Sequence, residues 1–411
     1  MKNKYMWTSM CLYINYFVHG MGAIILAQNM NFLKIQLSTD DAGIAYVISG
    51  LGLGRLVVLF IMGALSDKFG RKPFVFLGGL FYIGFLLGIL ISPNLETAFI
   101  FAILGGIANS TLDAGTYPAL MEAFPKATGT ASILTKAAIA GGQFILPIVM
   151  TIIILTHAYY GWSFLLCIVI LIINALIVLK MPFPNHKKPV EKELESAIDE
   201  IDVNAPKLKQ KTNFWIEGIC FIIIGYTATA TFYLISIWLP KFSSAIAGMN
   251  ETAAAQTISY YAVGTIASVI LTSILVKSLI RPVYIVFIYP TLSALMLFIL
   301  YFFPLPLLCQ IGGFILGFTA AGGVLQLALT TMAEFYPQGK GKVLGIFFSS
   351  SSIASFTIPV ITGMLSNINI AYIILFDGFI ATIGALLAVV VIYRYHRVFA
   401  VCHHSKMANG D

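Results

Sequence analysis

The sequence predicts an all-α membrane protein: twelve transmembrane helices in two pseudo-symmetric six-helix bundles. Three observations carry this. Only 10% of the 411 residues are charged and 59% are hydrophobic, with a mean hydropathy of +0.92. A soluble domain has about a quarter charged residues. The apolar residues fall into a dozen runs close to the roughly 20 residues a helix needs to cross a hydrocarbon core of about 30 Å. Finally, residues of the first half recur in the second at one spacing. Gly105, Glu122, Pro125, Gly129 and Pro147 return as Gly317, Glu334, Pro337, Gly341 and Pro359, each 212 residues later and without a gap. Two similar halves of this kind suit a machine that rocks around a central site.

In chain order, the spans are predicted over ~7–28, ~43–63, ~74–92, ~97–123, ~131–155, ~160–180, ~214–239, ~252–275, ~282–302, ~306–334, ~344–364 and ~369–395. The runs are too long, and lack the alternation, for barrel strands. Span 1 carries Tyr13, Asn15, Tyr16 and His19 near its middle. A short charged turn joins spans 2 and 3, which makes them antiparallel neighbours. Span 4 places Asn109, Asp113 and Tyr117 at i, i+4 and i+8, one helix face, and Pro118 then bends it. Span 5 holds Gly141, Gly142, Gln143 and Pro147, an irregular polar stretch of the kind tolerated where it lines a cavity. Met181-Pro182-Phe183-Pro184 stops span 6. Residues 181–213 are hydrophilic and form a central cytoplasmic linker, with 189–202 read as a short surface helix. They separate an N-terminal bundle (1–180) from a C-terminal bundle (214–398), which a tail (399–411) follows. In the second bundle, span 7 offers Tyr226, Thr227, Thr229, Thr231, Tyr233 and Trp238; span 10 offers Gln326; span 11 offers Ser349, Ser350, Ser351, Ser352 and Ser355. These hydroxyls and rings suit an oxygen-rich solute, although Ser and Thr also pack helices and aromatic residues also mark interfaces.

Charge sets the orientation. With the N-terminus inside, twenty of the 24 Lys and Arg residues fall in inner segments and only Lys34 and Lys241 in outer loops; Arg55 and Lys136 lie within spans. The positive-inside bias puts both termini in the cytoplasm of a multi-pass inner-membrane protein. The net charge of +7 thus reports topology, and no nucleic-acid partner is expected. The apolar run from Trp7 to Leu26 lacks a small-x-small cleavage site and reads as a span, not a signal peptide. Cys11, Cys167, Cys220, Cys309 and Cys402 are scattered, without metal spacing or a disulfide framework. No nucleotide-binding loop is present. No metal, cofactor or catalytic chemistry is therefore expected, and the chain is expected to work as a monomer.

Charges inside spans cost about 2.5–3.5 kcal/mol each on insertion scales. Arg55 lies 12 residues before Asp67, Asp113 lies 12 before Pro125, and Lys136 lies 11 beyond Pro125. At 1.5 Å per residue all three sit roughly 16–18 Å above the cytoplasmic turns. They form one layer, contributed by spans 2, 4 and 5. In one reading Asp113 is a switchable acid whose protonation releases a cation for an anionic solute; in the other it is half of a static ion pair that fixes helix packing. His19 is either a second proton carrier or a hydrogen-bonding histidine. The candidate solute contacts are Tyr13, Asn15, Asn109, Tyr117, Gln143, Tyr226, Tyr233, Gln326 and Ser355. Asp377, in span 12, stands apart from the layer. Glu122, Glu217 and Glu334 lie near cytoplasmic helix ends and are expected to make gating or helix-end contacts.

The turn after span 2 reads Gly63-x-x-x-Asp67-Lys68-x-Gly70-Arg71-Lys72. It resembles the loop between helices 2 and 3 of the major facilitator superfamily, and every position of that pattern matches. The resemblance implies the major facilitator fold, alternating access and a gating role for Gly63, Asp67, Lys68, Gly70 and Arg71. Asp113-Ala114-Gly115 is similar to a motif of sugar–proton symporters related to the fucose permease, with Thr116 where those carry Asn. A longer likeness, running from Asn15-Tyr16 through Asn109–Pro125 to Gly161-Trp162-Ser163-Phe164, is to a group of enterobacterial inner-membrane transport proteins. The expected function is secondary active transport, as a proton-coupled symporter importing a hydroxylated or aromatic acid or a sugar. The alternative is a proton-coupled exporter of drugs or metabolites. A membrane enzyme or a receptor that binds without transport fits the residues less well.

Overall fold

The computed structural model describes residues 4–125, 128–184, 212–278, 280–321, 323–336 and 340–399. The linker stretch with its predicted surface helix (185–211) and the tail from 400 onward lie outside these residues, as do Lys126 and Pro337. Among the described residues, twelve helices are long and apolar enough to cross a membrane. They are span 1 (Met6–Gln28), span 2 (Asp41–Phe69), span 3 (Arg71–Ile91), span 4 (Leu95–Ala123), span 5 (Leu134–Leu155) and span 6 (Trp162–Lys180). The second set is span 7 (Phe214–Ala245), span 8 (Glu251–Val276), span 9 (Pro282–Phe302), span 10 (Pro306–Phe335), span 11 (Gly345–Ser366) and span 12 (Ile370–Val398). All twelve predicted spans are present.

Several helices start on side-chain caps at the end opposite the charged turn. Asp40 accepts from the Gly43 amide at 2.8 Å, Asn94 from Thr97 at 3.0 Å and Asn250 from Ala253 at 2.8 Å. Each satisfies a donor that a helix start leaves unpaired. Two features were not predicted. A short helix, Met30–Leu37, links spans 1 and 2. Span 10 is also broken: an α-helix over Pro306–Leu316 gives way to a π-turn at Gly317–Ala321, and the helix resumes over Val324–Phe335. Gly323 stands at the break with φ +144°, where a side chain would be strained.

The repeat has a structural meaning. Spans 2 and 4 cross so closely that a Cβ on Gly106 would stand 2.7 Å from the Arg55 backbone nitrogen. Spans 8 and 10 cross the same way: a Cβ on Gly264 would stand 2.9 Å from the Phe318 nitrogen, and one on Gly317 2.8 Å from the Tyr261 Cα. Small residues at a crossing let backbones approach and pack where no hydrophobic driving force operates.

At the basic end, the charged turn clamps four helices together. Gly70 takes φ +93° and closes span 2 directly onto span 3. Arg71, only 2% exposed, meets Asp67 at 2.5 Å and Glu122, at the end of span 4, at 3.0 Å. Ser66 donates to the Ala114 carbonyl at 2.7 Å. Lys72 reaches the carbonyls that end span 6, Leu179 at 2.8 Å and Met181 at 3.1 Å, and Lys68 lies over the Phe69 ring. Gly63 faces open space. In the second half Arg394 pairs with buried Glu217 at 2.6 Å, so Glu122 and Glu217 both make helix-end contacts. Removing Arg71 leaves a buried carboxylate without its counter-charge, which costs about 3–5 kcal/mol. Arg71→Ala is accordingly expected to lower the unfolding temperature of the detergent-purified protein sharply, and Arg71→Met combined with Glu122→Leu to lower it less.

Candidate functional site

The predicted layer of charge forms, and its centre is Asp113. Arg55 Nη2 lies 3.1 Å from Asp113 Oδ2, and the Tyr16 hydroxyl donates to Asp113 Oδ1. Spans 1, 2 and 4 thus converge on one carboxylate. The close crossing at Gly54 and Gly106 makes this possible, because Arg55 is adjacent to the first glycine and Asp113 is two turns along the same face from the second. Lys136 on span 5 interacts electrostatically with both members of the pair. It forms no ion pair within 4 Å among the described residues. The layer therefore holds one close pair and one additional cation.

The pair is partly accessible: 32% of the Arg55 side chain and 23% of that of Asp113. Arg55 lies within electrostatic reach of Tyr16, Tyr117 and, from the second half, Tyr233. Tyr233 is in turn within hydrogen-bonding reach of Ser355 on span 11, whose backbone packs against Gly52 of span 2. On span 1, the His19 ring sits 5.7 Å from that of Tyr16 and 5.9 Å from that of Tyr82. Asn109 lies within reach of His19. Tyr117 meets Tyr16 edge-on at 5.5 Å. Three polar atoms around the pair are buried without a partner: His19 Nδ1, Asn109 Oδ1 and Arg55 Nε. Gln143 Nε2 on span 5 is a fourth buried orphan. Buried polar atoms normally find partners, and those that do not call for an explanation.

Other predicted contacts are committed elsewhere. Asn15 accepts from Asn174 of span 6 at 2.7 Å, a bond that packs two helices. Tyr13 donates to the Ala131 carbonyl at 3.3 Å. Tyr226 bonds Thr357 at 2.8 Å within the second half. The Gln326 side chain is exposed, with no hydrogen bond to the layer among the described residues. Conversely, Tyr16 joins the centre although nothing in the sequence separates it from its neighbours. Its position three residues before His19, on the same face, was the available signal.

The two halves are also joined by a polar seam at the end opposite the basic turn, which sequence reading missed. Lys241 of span 7 reaches Asn31 at 3.0 Å and Asp41 of span 2 at 3.4 Å, and Asp41 also pairs with Lys34 at 2.6 Å. Asn31 donates to Glu251 at 3.1 Å, Ser259 of span 8 to the Phe144 carbonyl of span 5 at 3.0 Å, and Gln256 to Thr151 at 3.4 Å. Partial burial disfavours the charge of Lys34, but the Asp41 carboxylate more than offsets this, so its pKa is raised and Lys34 keeps its charge. Lys34 and Lys241 are the two outer cations of the charge count, and that was the clue.

The chain is similar to known proteins along its whole length. Residues 12–340 match the family model described as Major Facilitator Superfamily. The inner membrane transport protein YdiM of Escherichia coli is 42% identical over 412 aligned positions, covering 100% of this chain and 99% of that protein. YdiN of the same organism is 41% identical over 392 residues, covering 95% of this chain and 91% of that protein. The crystal structure of a D-xylose-proton symporter superposes with a TM-score of 0.72 at 13% identity, covering 93% of this chain and 96% of that one. With its twelve spans, its charged turn and this match, the chain belongs to the major facilitator superfamily, a family of transporters.

Proposed function

We propose that this transporter is a proton-coupled symporter of the cell membrane that imports a small polar organic solute by alternating access. The carrying observation is the Asp113 carboxylate, partly accessible and held at once by Arg55 and Tyr16. Protonating Asp113 removes the negative charge that holds the Arg55 guanidinium. Arg55 is then free to engage a solute carboxylate or hydroxyl, with Lys136 supplying a second positive charge. Losing the proton re-forms the ion pair and expels the solute. Surplus positive charge at this level favours a hydroxylated or aromatic acid, and Asn109, Tyr117, Tyr233 and Ser355 can orient hydroxyl groups, as a sugar also requires. The fold shared with a D-xylose-proton symporter supports the same coupling ion.

The polar seam closes the end that the charge bias assigns to the outside. The conformer is therefore read as facing the cytoplasm, with Asp113 exchanging its proton and the solute on that side. The charged turn at Asp67, Lys68 and Arg71 then guides the halves as they rock.

Two expectations follow. In right-side-out vesicles carrying an imposed pH gradient, a panel of labelled hydroxylated acids and sugars should include a solute that accumulates and is lost on adding protonophore. Asp113→Asn should reduce that accumulation at least tenfold while sparing exchange; undiminished accumulation by the variant would remove Asp113 from coupling. Secondly, breaking one partly exposed ion pair is worth up to about 1 kcal/mol, a factor of roughly five in population. Asp41→Asn should thus raise the maleimide labelling rate of an Asn109→Cys reporter from the outer side about fivefold, and an unchanged rate would count against the seam as a closure.

A further inference from the structure

Asp377 on span 12 is the ionisable group least explained by packing. Its side chain is wholly buried. Oδ1 accepts from the Thr231 hydroxyl of span 7 at 2.7 Å, and Oδ2 has no partner. Among the described residues no Lys, Arg or His pairs with it. The ionisable group within its electrostatic reach is the neutral phenol of Tyr261 on span 8. Span 9 presents apolar surface, with Phe298 against Gly378. An ionised carboxylate with one neutral donor in such surroundings is heavily penalised, so the group takes up a neutralising ion.

The smallest such ion is a proton, and the Thr231 residue that holds Asp377 also borders a small space. A cavity of about 20 Å³ adjoins Thr231, lined also by Thr227, Ser293, Thr319 and Ala381. That is room for one water with hydroxyl partners. Ala381 is one turn beyond Asp377. Thr319 lies inside the π-turn of broken span 10 and bonds Ser293 at 2.7 Å. π-turns concentrate at functional sites, and broken helices at this depth line the moving parts of transporters.

From this arrangement we infer that Asp377 is a second proton-binding site, within the last six spans and separate from Asp113. It holds a proton on Oδ2 in the conformer described. It releases that proton to water when movement at the span 10 break opens the small cavity. Oδ2–H breaks, water accepts the proton, and the carboxylate keeps the Thr231 hydroxyl as its donor.

Infrared difference spectroscopy of the reconstituted full-length protein tests this without any solute. Stepping the pH from 6 to 9 should bleach a protonated-carboxyl C=O stretch. Asp377→Asn should lose that band and Asp113→Asn should keep it, so failure here is distinct from failure of the symport reading. Thr231→Val, which retains the carboxyl but removes its donor, should move the pH range of the bleach without abolishing it. A band that survives Asp377→Asn overturns the inference. So does a carboxyl that responds to replacing choline by sodium at fixed pH but shows no protonated form. Should Asp377→Asn fail to fold, a bleach that Thr231→Val leaves unmoved has the same force.

Discussion

An ion pair in the middle of an apolar slab, Arg55 with Asp113, is the constraint on which the rest depends. Each charge carries an insertion penalty of a few kcal/mol at that depth, which a close partner offsets. Together they persist because the chain can bring spans 2 and 4 into backbone contact. Gly54 and Gly106 set the crossing, and their neighbours along the same faces are the two charged residues. Packing and electrostatics are thus a single requirement: a side chain larger than hydrogen at Gly106 would meet the Arg55 backbone itself. Tyr16 then fastens span 1 to the same carboxylate.

The second half repeats the crossing but not the charges. Gly264 and Gly317 bring spans 8 and 10 together as Gly54 and Gly106 do for spans 2 and 4. Where the first half has Arg55 and Asp113, the second offers hydroxyls and phenols, among them Tyr233 and Ser355. At this level the first half carries the ion pair and the second presents neutral hydrogen-bonding groups. The repeat is therefore kept in the geometry of the crossing and not in its chemistry, and the charged turn likewise lacks its Asp and glycines in the second half.

How much was legible in the sequence follows from what a helix fixes. Rise per residue is constant, so counting from the turns put Arg55, Asp113 and Lys136 at one level, and the structure joins Arg55 to Asp113 there. Azimuth is not fixed in the same way. These helices are apolar on nearly every face, because lipid and protein interior are both oily, so periodicity does not tell which face turns inward. Asn15 therefore read as a solute contact although it is spent on Asn174, and Tyr16 went unassigned although it touches the central carboxylate. The break in span 10 was hidden for a related reason, since its glycines fit equally well in a close helix crossing.

The distribution of ion pairs explains how such an assembly moves. Each half has a buried pair at its basic end: Arg71 with Glu122 at 1% and 6% side-chain exposure, and Glu217 at 0% against Arg394. Breaking one leaves an uncompensated charge in a low-dielectric interior and costs about 3–5 kcal/mol, so each bundle keeps its shape. Between the halves the pair of Lys241 with Asp41 is longer and partly accessible, and the remaining polar contacts of the seam are mostly neutral. Contacts of that kind are worth up to about 1 kcal/mol each and exchange readily for water. Strong bonds inside the bundles and weak, replaceable ones across them leave rocking about the central layer as the motion of least resistance. The same division leaves the partly accessible pair, Arg55 with Asp113, at the level where Tyr233 of the second bundle comes within its reach.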